Sequence, residues 1–463
     1  KKKTGLKILV RLTDEGSIKK ALMQYQKSLK EEFGDLIATE ATKIRGAKEG
    51  EVLTIEEVKK MAEELPVVRI VDALLRHAVI QGASDIHIEP MEDALLIRYR
   101  IDGMLRDAMT LPALATRAIT ARIKVLSNLK LDESNRPQDG RFKMETDTER
   151  VSFRVSLLPT YFGEKTVMRV LRETGEGFTL DVLGFHGEGM ERIHAATKER
   201  SGLILIAGPT GSGKTTTLYT ILDILNTPDV NISTIEDPIE YQMRRVSQSQ
   251  VDAGIGFTFA NGLRSVLRQD PDIIAVGEIR DAETAALAIH AALTGHLVLA
   301  TIASASAATA ITRLTGMGVD PFLLSSSLRL VIGQRLVRKL SGIKEQYMLE
   351  KEQRDEITDP KVFTAALKTL VEERLVKSTV KMDNIPFCRP QSSQESDDGY
   401  DGRIGVHEVM PISASLKARI LEGATAKEIE TQARKEGVNT IVEDAVYKAA
   451  RGITSLEEAI GAV

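Results

Sequence analysis

The chain has 463 residues, enough for about two to four domains, and its 42% hydrophobic and 28% charged residues are typical of a soluble globular protein. A net charge of −4 and a pI near 6.1 exclude a general attraction to nucleic acid or to an anionic membrane. The single cysteine, Cys388, excludes an internal disulfide, and no apolar run reaches the roughly 18 residues that a transmembrane helix needs.

Residues 1–65 are charged and mostly helical in pattern, and we predict a helical segment that is the remnant of a docking region. Apolar side chains recur there every three or four positions and form one helix face, which packs against its own chain or docks a partner. These side chains are Ile18, Leu22, Tyr25, Leu29 and Phe33. The N-terminal lysines precede no long apolar core, so no signal peptide is predicted, and the missing initiator methionine indicates that upstream residues are absent.

The pattern changes after residue 65, where a helix precedes several short alternating runs. The helix is "VVRIVDALLRHAVIQGA", and the runs include "DIHIEP", "RVSFRVSLLP" and "KTVMRVL", with turn residues between them. This pattern predicts a small α+β domain with a mostly antiparallel sheet over residues 66–174. The glycine-rich residues 175–190 are predicted to be a linker.

Residues 191–340 repeat a pattern of strand, turn and helix. Four apolar runs predict buried strands: "GLILIAG", "ISTIED", "DIIAVGE" and "HLVLAT". A helical stretch follows each run, so we predict an α/β domain whose mostly parallel sheet is flanked by helices. Residues 341–463 are predicted to be a helical region, with a flexible loop at the polar "RPQSSQESDDGYDG".

A complete phosphate-binding motif, G-x-x-x-x-G-K-[ST], lies between the first of these strands and its helix. It predicts a nucleotide site formed by Gly208, Pro209, Thr210, Gly211, Ser212, Gly213, Lys214, Thr215 and Thr216. The glycines let backbone N–H groups surround phosphate oxygens. Lys214 is expected to reach the β- and γ-phosphates, and the Thr215 hydroxyl is expected to bind Mg²⁺.

Hydrolysis also needs carboxylates near the metal and near the attacking water. Glu278 ends the run "DIIAVGE", and Glu236, Asp237 and Glu240 lie close together in "STIEDPIEY". Both runs end at the carboxyl edge of the predicted sheet, where α/β folds bind ligands. Since no Asn-Lys-x-Asp element indicates GTP, ATP is the expected nucleotide.

Together these residues resemble the ATPases of type II secretion and type IV pilus assembly, within the secretion ATPase superfamily. The resemblance spans residues 67–463 and rests on "GASDIHIEP", "YRIDG", "GPTGSGKTTTLY", "TIEDPIEY", "LRQDPDIIAVGEIRDAETA", "TGHLV", "QRLVRKL" and "GYDGRIGVHEV". It implies a RecA-like P-loop domain in a cytoplasmic homohexameric motor that hydrolyses ATP with Mg²⁺. It also implies peripheral attachment to the inner membrane through a platform protein and accessory assembly proteins.

The resemblance also implies roles for individual residues. Glu240 matches the catalytic base that polarises water, and Glu278 matches the Walker B glutamate near Mg²⁺ and the γ-phosphate held by Lys214. Arg154 and Arg169, in the smaller domain, match two arginines that reach the γ-phosphate. Because a guanidinium group neutralises charge on the transferred phosphoryl group, hydrolysis is expected to change the angle between the domains.

The sequence departs from the family pattern in two places. His296 of the histidine box is kept and is expected to support the site together with Glu236 and Asp237, but Ala303 stands where a second histidine is usual. That histidine is taken to connect the nucleotide site with the domain interface, so its replacement bears on coupling and turnover. The paired C-x-x-C motifs of the assembly branch are also missing, and Cys388 alone cannot form a tetrahedral site, so no zinc is predicted.

Two other functions stay open on the sequence alone. A conjugative or DNA-translocating ATPase shares this fold and phosphate chemistry, but the acidic pI and the 4% aromatic content disfavour it, and no stable nucleic-acid partner is expected. A regulatory subunit that binds ATP with little hydrolysis is favoured by the altered histidine box and disfavoured by Glu240 and Glu278. A pilus-assembly or secretion motor is therefore the leading hypothesis.

Overall fold

The computed structural model describes residues 54–461 apart from gaps at 146–149, 173–178, 350–358, 394–395 and 397. The chain divides into two compact units, Lys1–Thr174 and Gly175–Val463. The apolar helix face predicted between Ile18 and Phe33 lies outside the described residues, as does part of the predicted flexible loop.

The described part of the first unit combines three helices with one six-stranded sheet. The elements are α1 (Ile55–Glu63), α2 (Leu65–Ile80), β1 (Asp85–Pro90), β2 (Ala94–Ile101), β3 (Met104–Pro112), α3 (Thr116–Leu126), β4 (Gln138–Glu145), β5 (Arg150–Thr160) and β6 (Gly163–Arg172). The strand order is β3-β2-β1-β6-β5-β4, and every neighbouring pair is antiparallel. The predicted antiparallel sheet is therefore confirmed.

Alternating side chains in the strands build the core of the first unit. Val151 and Phe153 of β5 are fully buried, whereas Arg154 of the same strand is exposed on the other face. Helix α2 covers the buried face, and the hydroxyl of Tyr99 on β2 donates to the Leu74 carbonyl of this helix at 2.9 Å. Each fully buried apolar side chain contributes about 1.5–3 kcal/mol, so the alternation fixes which face of the sheet carries exposed arginines.

The second unit surrounds a seven-stranded sheet with helices. Its elements are α4 (Leu180–Leu183), α5 (Gly187–Ala196), β7 (Gly202–Ala207), α6 (Lys214–Leu225), β8 (Ile232–Glu236), β9 (Val246–Gln250), α7 (Phe259–Val266), β10 (Ile273–Val276), α8 (Ala282–Leu293), β11 (Leu297–Ile302), α9 (Ala307–Gly316), α10 (Pro321–Ser327), β12 (Leu328–Leu340), β13 (Lys344–Tyr347), α11 (Pro360–Glu372), β14 (Phe387–Pro390), β15 (Tyr400–Pro411), α12 (Ala414–Leu421), α13 (Ala426–Lys435), α14 (Ile441–Ala450) and α15 (Leu456–Gly461). The strand order is β15-β12-β7-β11-β10-β8-β9, parallel throughout except for β15, which runs antiparallel to β12.

The four apolar runs in the P-loop region form β7, β8, β10 and β11, as predicted. Strand β7 shows why they lack polar alternation. Leu203 and Leu205 enter one hydrophobic cluster, while Ile204 and Ile206 enter another on the opposite face. Because helices cover both faces of the parallel sheet, every position of β7 is buried, and the continuous apolar run is the consequence.

The region after residue 340 contains helices α11–α15, as predicted, and also the strands β13, β14 and β15, which the sequence pattern did not predict. Strand β15 pairs with β12 from Leu330 opposite Pro411 to Leu340 opposite Tyr400, so it extends the main sheet. The predicted fold class, a RecA-like α/β domain after a smaller α+β domain with helices at the C-terminal end, is confirmed. The predicted domain bounds remain a prediction. None of the helices in the described ranges is long and apolar enough to cross a membrane.

Candidate nucleotide site

The loop of residues 208–213 joins β7 to α6 at the carboxyl edge of the main sheet. Gly211 and Gly213 have φ angles of 79° and 85°, which residues with a Cβ rarely adopt. At Gly208 a Cβ would lie 2.3 Å from Ser212 Oγ and 2.7 Å from the Gln334 carbonyl oxygen. The loop therefore requires glycine at all three positions, and it leads into the N-terminus of α6, where free N–H groups and the helix dipole favour an anion.

Lys214 is the first residue of α6 and is half-buried. Its ammonium group donates hydrogen bonds to the Gly208 and Pro209 carbonyls, both at 2.9 Å, and so lies over the loop. Burial lowers the pKa of Lys214, the Glu278 carboxylate acts against this shift, and Arg335 adds to it. The Lys214 ammonium group therefore lies over the loop that is predicted to bind phosphate.

Thr215 and Glu278 carry the oxygen ligands that Mg²⁺ prefers. Thr215 is half-buried in the first turn of α6, and Glu278 is half-buried just after β10 at the same edge of the sheet. Within the described residues, the buried Ser212 hydroxyl has no hydrogen-bond partner, so it offers a donor for a phosphate oxygen. Mg²⁺ at nucleotide sites takes one or two protein ligands besides phosphate and water, so this donor set fits it.

The described part of the chain contains no cluster of side chains that could hold a metal ion by itself. No group of three or more His, Cys, Asp or Glu side chains is placed there to hold a metal ion. Cys388 lies buried on β14 as a free thiol.

Strands β8 and β10 end side by side, with Ile235 opposite Val276. The residues that follow them bring two predicted acids together around one cation. Arg280 Nη1 lies 2.8 Å from Asp237 Oδ2, and Arg280 Nε lies 2.5 Å from Glu278 Oε2. The hydrogen bond to Glu278, aided by the one to Asp237, raises the pKa of Arg280. No local pattern in the sequence marks Arg280, because its contacts depend on the sheet register.

Glu236, the last residue of β8, is buried within a ring of donors rather than open to a substrate. Its carboxylate accepts hydrogen bonds from the side chains of Thr234 at 2.5 Å and Gln248 at 3.1 Å, and from the Tyr219 hydroxyl. Such bonds satisfy a buried carboxylate. Glu240 is half-buried in the loop that follows β8, so the two predicted acids of this motif occupy different environments.

Gln334 of β12 supports the phosphate loop from the neighbouring strand. The sequence alone predicts no role for it. Its side chain is buried; Nε2 donates to the Ser212 carbonyl and Oε1 accepts from the Thr217 hydroxyl, each at 2.7 Å. A Cβ at Gly213 would lie 2.8 Å from Nε2. Gln334 begins the family segment "QRLVRKL", but the sequence alone cannot place β12 beside β7.

The two histidine-box positions lie at opposite edges of the sheet. His296 precedes β11 at the amino edge, where its Nδ1 lies 2.9 Å from the Ala291 carbonyl oxygen. Ala303 follows β11 at the carboxyl edge, where Ile302 is paired with Ala207 beside the phosphate loop. A strand of this length separates its ends by roughly 20 Å, so the structure does not bring His296 to the phosphate loop.

Arg154 and Arg169 are brought together in the first unit. They lie directly opposite each other on β5 and β6, and both side chains are exposed. Arg169 Nε also lies 3.0 Å from Asp85 Oδ1. The antiparallel register therefore forms one pair of guanidinium groups from residues that are 15 positions apart in the sequence.

Comparison with known proteins adds to this geometry. A family model described as "Type II/IV secretion system protein" matches residues 60–461. Over 407 residues the chain is 43% identical to the type IV pilus assembly ATPase PilB of Pseudomonas aeruginosa. This alignment covers 88% of the present chain and 69% of PilB. The chain is 42% identical, with the same coverage, to the type II secretion system protein E of Xanthomonas campestris. The crystal structure of the pilus retraction motor PilT with bound ADP aligns at 25% identity with a TM-score of 0.58, over 85% of this chain and 96% of that one.

Proposed function

Since the chain belongs to the type II/IV secretion system protein family and is an ATPase, we propose that it is a Mg²⁺-dependent motor that works as a homohexamer. The motor powers assembly of type IV pili or of type II secretion pseudopili, in line with relatives that are named for type IV pilus assembly and for the type II secretion system. The family resemblance inferred from the sequence motifs is confirmed, whereas hexamer formation and Mg²⁺ dependence belong to the proposal.

The observation that carries the proposal is the arrangement of charges around the phosphate loop. Lys214 lies over the loop within electrostatic reach of Glu278, and β8 ends at the same edge with the segment that carries Glu240. In the proposed reaction Lys214 binds the β- and γ-phosphates, and Glu240 takes a proton from the attacking water. Thr215 and Glu278 would hold Mg²⁺, which would supply positive charge against the β- and γ-phosphates of ATP.

We extend the proposal to the exposed pair of Arg154 and Arg169, whose role at the γ-phosphate rests on the family resemblance. Two guanidinium groups on neighbouring strands provide the positive charge and the planar donors that a transferred phosphoryl group requires. Glu236, through its buried hydrogen bonds, and Asp237, through Arg280, are proposed to support the site, whereas His296 can act on it only indirectly.

The proposed location is the cytoplasm, at the inner membrane, with attachment through a platform protein and accessory assembly proteins. This location is the one that the sequence resemblance implies, and membership of the type II/IV secretion system protein family supports it. A net charge of −4 gives no general attraction to nucleic acid, which supports a protein partner over a DNA substrate.

The proposal is tested by the steady-state ATPase rate over a range of protein concentrations, with Mg²⁺ present or chelated. We expect specific activity to rise with concentration as rings form, to vanish without Mg²⁺, and to fall at least about 100-fold in Glu240→Gln. Glu199→Gln is the matched control, because Glu199 is exposed between α5 and β7, at the amino edge of the sheet and opposite the phosphate loop; it should retain wild-type activity.

A near-zero rate at every concentration with intact ATP binding would contradict the proposal and favour the regulatory subunit. The position of Ala303 beside the phosphate loop is the observation that keeps this second function open. A rate that duplex DNA stimulates, and that high salt suppresses, would instead favour the DNA-translocating ATPase.

A further inference from the structure

Tyr219 connects the phosphate-loop helix with the segment that carries Glu240. It lies on α6, five residues after Lys214, and is fully buried. Its ring packs edge-on against Tyr241, with centroids 4.5 Å apart and planes at 79°. A buried tyrosine hydroxyl usually has hydrogen-bond partners, and those of Tyr219 show which segments it connects.

The Tyr219 hydroxyl both donates and accepts. Its proton goes to the buried Glu236 carboxylate, and its oxygen accepts the backbone N–H of Glu240 at 3.2 Å. The side-chain amide of Gln248 also approaches this oxygen, at 3.4 Å. Because the carboxylate can only accept, it fixes the direction of the tyrosine O–H bond and leaves the oxygen lone pairs facing the Glu240 amide.

The rest of the segment between β8 and β9 is held by other side chains. Gln248 accepts from the Met243 N–H at 2.8 Å and donates to the Tyr241 carbonyl at 3.0 Å. Asn226, which follows α6, donates to the Arg244 carbonyl at 2.8 Å. These contacts anchor the far part of the segment, and the Tyr219 hydroxyl holds the backbone N–H of Glu240.

We propose that Tyr219 is a positioning residue for Glu240: its hydroxyl fixes the backbone of the general base relative to the phosphate loop. The inference rests on the proposed function, in which Glu240 accepts the proton of the attacking water. Lys214 and Thr215 begin helix α6, and Tyr219 lies on the same helix. The hydrogen bond from Glu240 to Tyr219 therefore fixes the base relative to the residues proposed to bind the phosphates. An error of about 1 Å in such a position can slow a reaction roughly 100-fold.

The test is Tyr219→Phe, which removes the hydroxyl and keeps the ring. We expect kcat to fall roughly 10- to 100-fold while KM and the Kd for ATP change less than about twofold, because the phosphate loop itself is untouched. Tyr241→Phe is the matched control: the two rings are in contact, but the Tyr241 hydroxyl has no hydrogen bond to the described residues. Its kcat should equal that of the wild type.

A double-mutant cycle separates positioning of Glu240 from a general structural role. In the Glu240→Gln background, single-turnover rates with excess enzyme should be the same with Tyr219 or with phenylalanine, since the base on which the hydroxyl acts is gone. An equal loss in both backgrounds would overturn the inference. Thermal unfolding and the Kd for ATP report whether Tyr219→Phe is folded; should it not fold, Glu236→Gln tests the same contact and is expected to lower kcat.

Failure of the inference and failure of the proposed function give different results. Wild-type kcat in Tyr219→Phe, with Glu240→Gln inactive, overturns the role of Tyr219 and leaves the proposed function intact. Full activity of Glu240→Gln overturns the assignment of the base, and with it the role of Tyr219.

Discussion

Glu408 of β15 is a buried acid close to the altered histidine box. Its Oε2 accepts the Ala307 N–H at 2.9 Å, at the start of α9. Burial raises the pKa of Glu408 to about 7, although the Ala307 hydrogen bond and the Arg335 charge act in the opposite direction. At the scale of one residue, this carboxyl group makes the stability of the second unit depend on pH.

The sign of this dependence follows from the raised pKa. In the unfolded chain Glu408 loses its proton near its ordinary pKa of 4.5, whereas in the folded chain it does so only near pH 7. The free energy of unfolding therefore falls as pH rises between these two values. The loss amounts to roughly 3 kcal/mol. Glu408→Gln keeps an acceptor for Ala307 and cannot ionise, so its thermal midpoint should rise relative to the wild type between about pH 5 and 8.

The measurement is the thermal midpoint of both proteins across that pH range. The exposed Glu199→Gln serves as the control and should follow the wild type at every pH. A difference between Glu408→Gln and wild type that stays constant with pH would show that Glu408 does not titrate in this range.

At the scale of elements, the phosphate loop depends on β12 as well as on β7 and α6. Gln334→Met keeps the volume of the side chain but leaves the buried Ser212 carbonyl and the Thr217 hydroxyl without their partner. A buried polar group that loses its partner costs about 1–3 kcal/mol. We therefore expect the thermal midpoint to fall and the Kd for ATP to rise about tenfold, as measured by titration with a fluorescent nucleotide.

Gln346→Met is the control for this prediction, because Gln346 is exposed on β13, outside the main sheet. It should leave both quantities unchanged. If Gln334→Met bound ATP as tightly as the wild type, the brace between β12 and the loop would have no part in nucleotide binding.

At the scale of the whole molecule, the region after residue 340 is stabilised by an apolar cluster. Phe363 of α11, Phe387 of β14 and Tyr447 of α14 are buried in it, with aromatic contacts such as Phe363 against Phe387 at 6.2 Å. Cys388 lies next to this cluster as a single thiol, too few for a cysteine-ligated zinc. Burial of several aromatic side chains contributes to the stability of this region.

We accordingly expect the purified protein to contain less than about one zinc per ten chains, measured by elemental analysis, because a single thiol cannot form a structural site. A strong zinc chelator should leave the thermal midpoint unchanged. One tightly bound zinc per chain, with a midpoint that falls on chelation, would contradict the prediction.

Local features of the sequence were sufficient for the phosphate loop, for the buried strands and for the alternating strands of the first unit. In each case the signal is contiguous: glycines that permit the turn, an apolar run covered by helices, or a period of two. Strand β15 is different, because its pairing with β12 joins segments about 70 residues apart, and no local pattern specifies that neighbour.

The sequence by itself therefore determined the family, the two kinds of sheet, and the glycine-rich loop between β7 and α6. Only the tertiary structure decided that Gln334 braces the loop, that Arg280 joins Asp237 to Glu278, and that the Tyr219 hydroxyl reaches Glu240. It also placed His296 at the opposite edge of the sheet. The physical reason is common to all four: a backbone turn is set by adjacent residues, whereas contacts between side chains depend on which strands become neighbours and in what register.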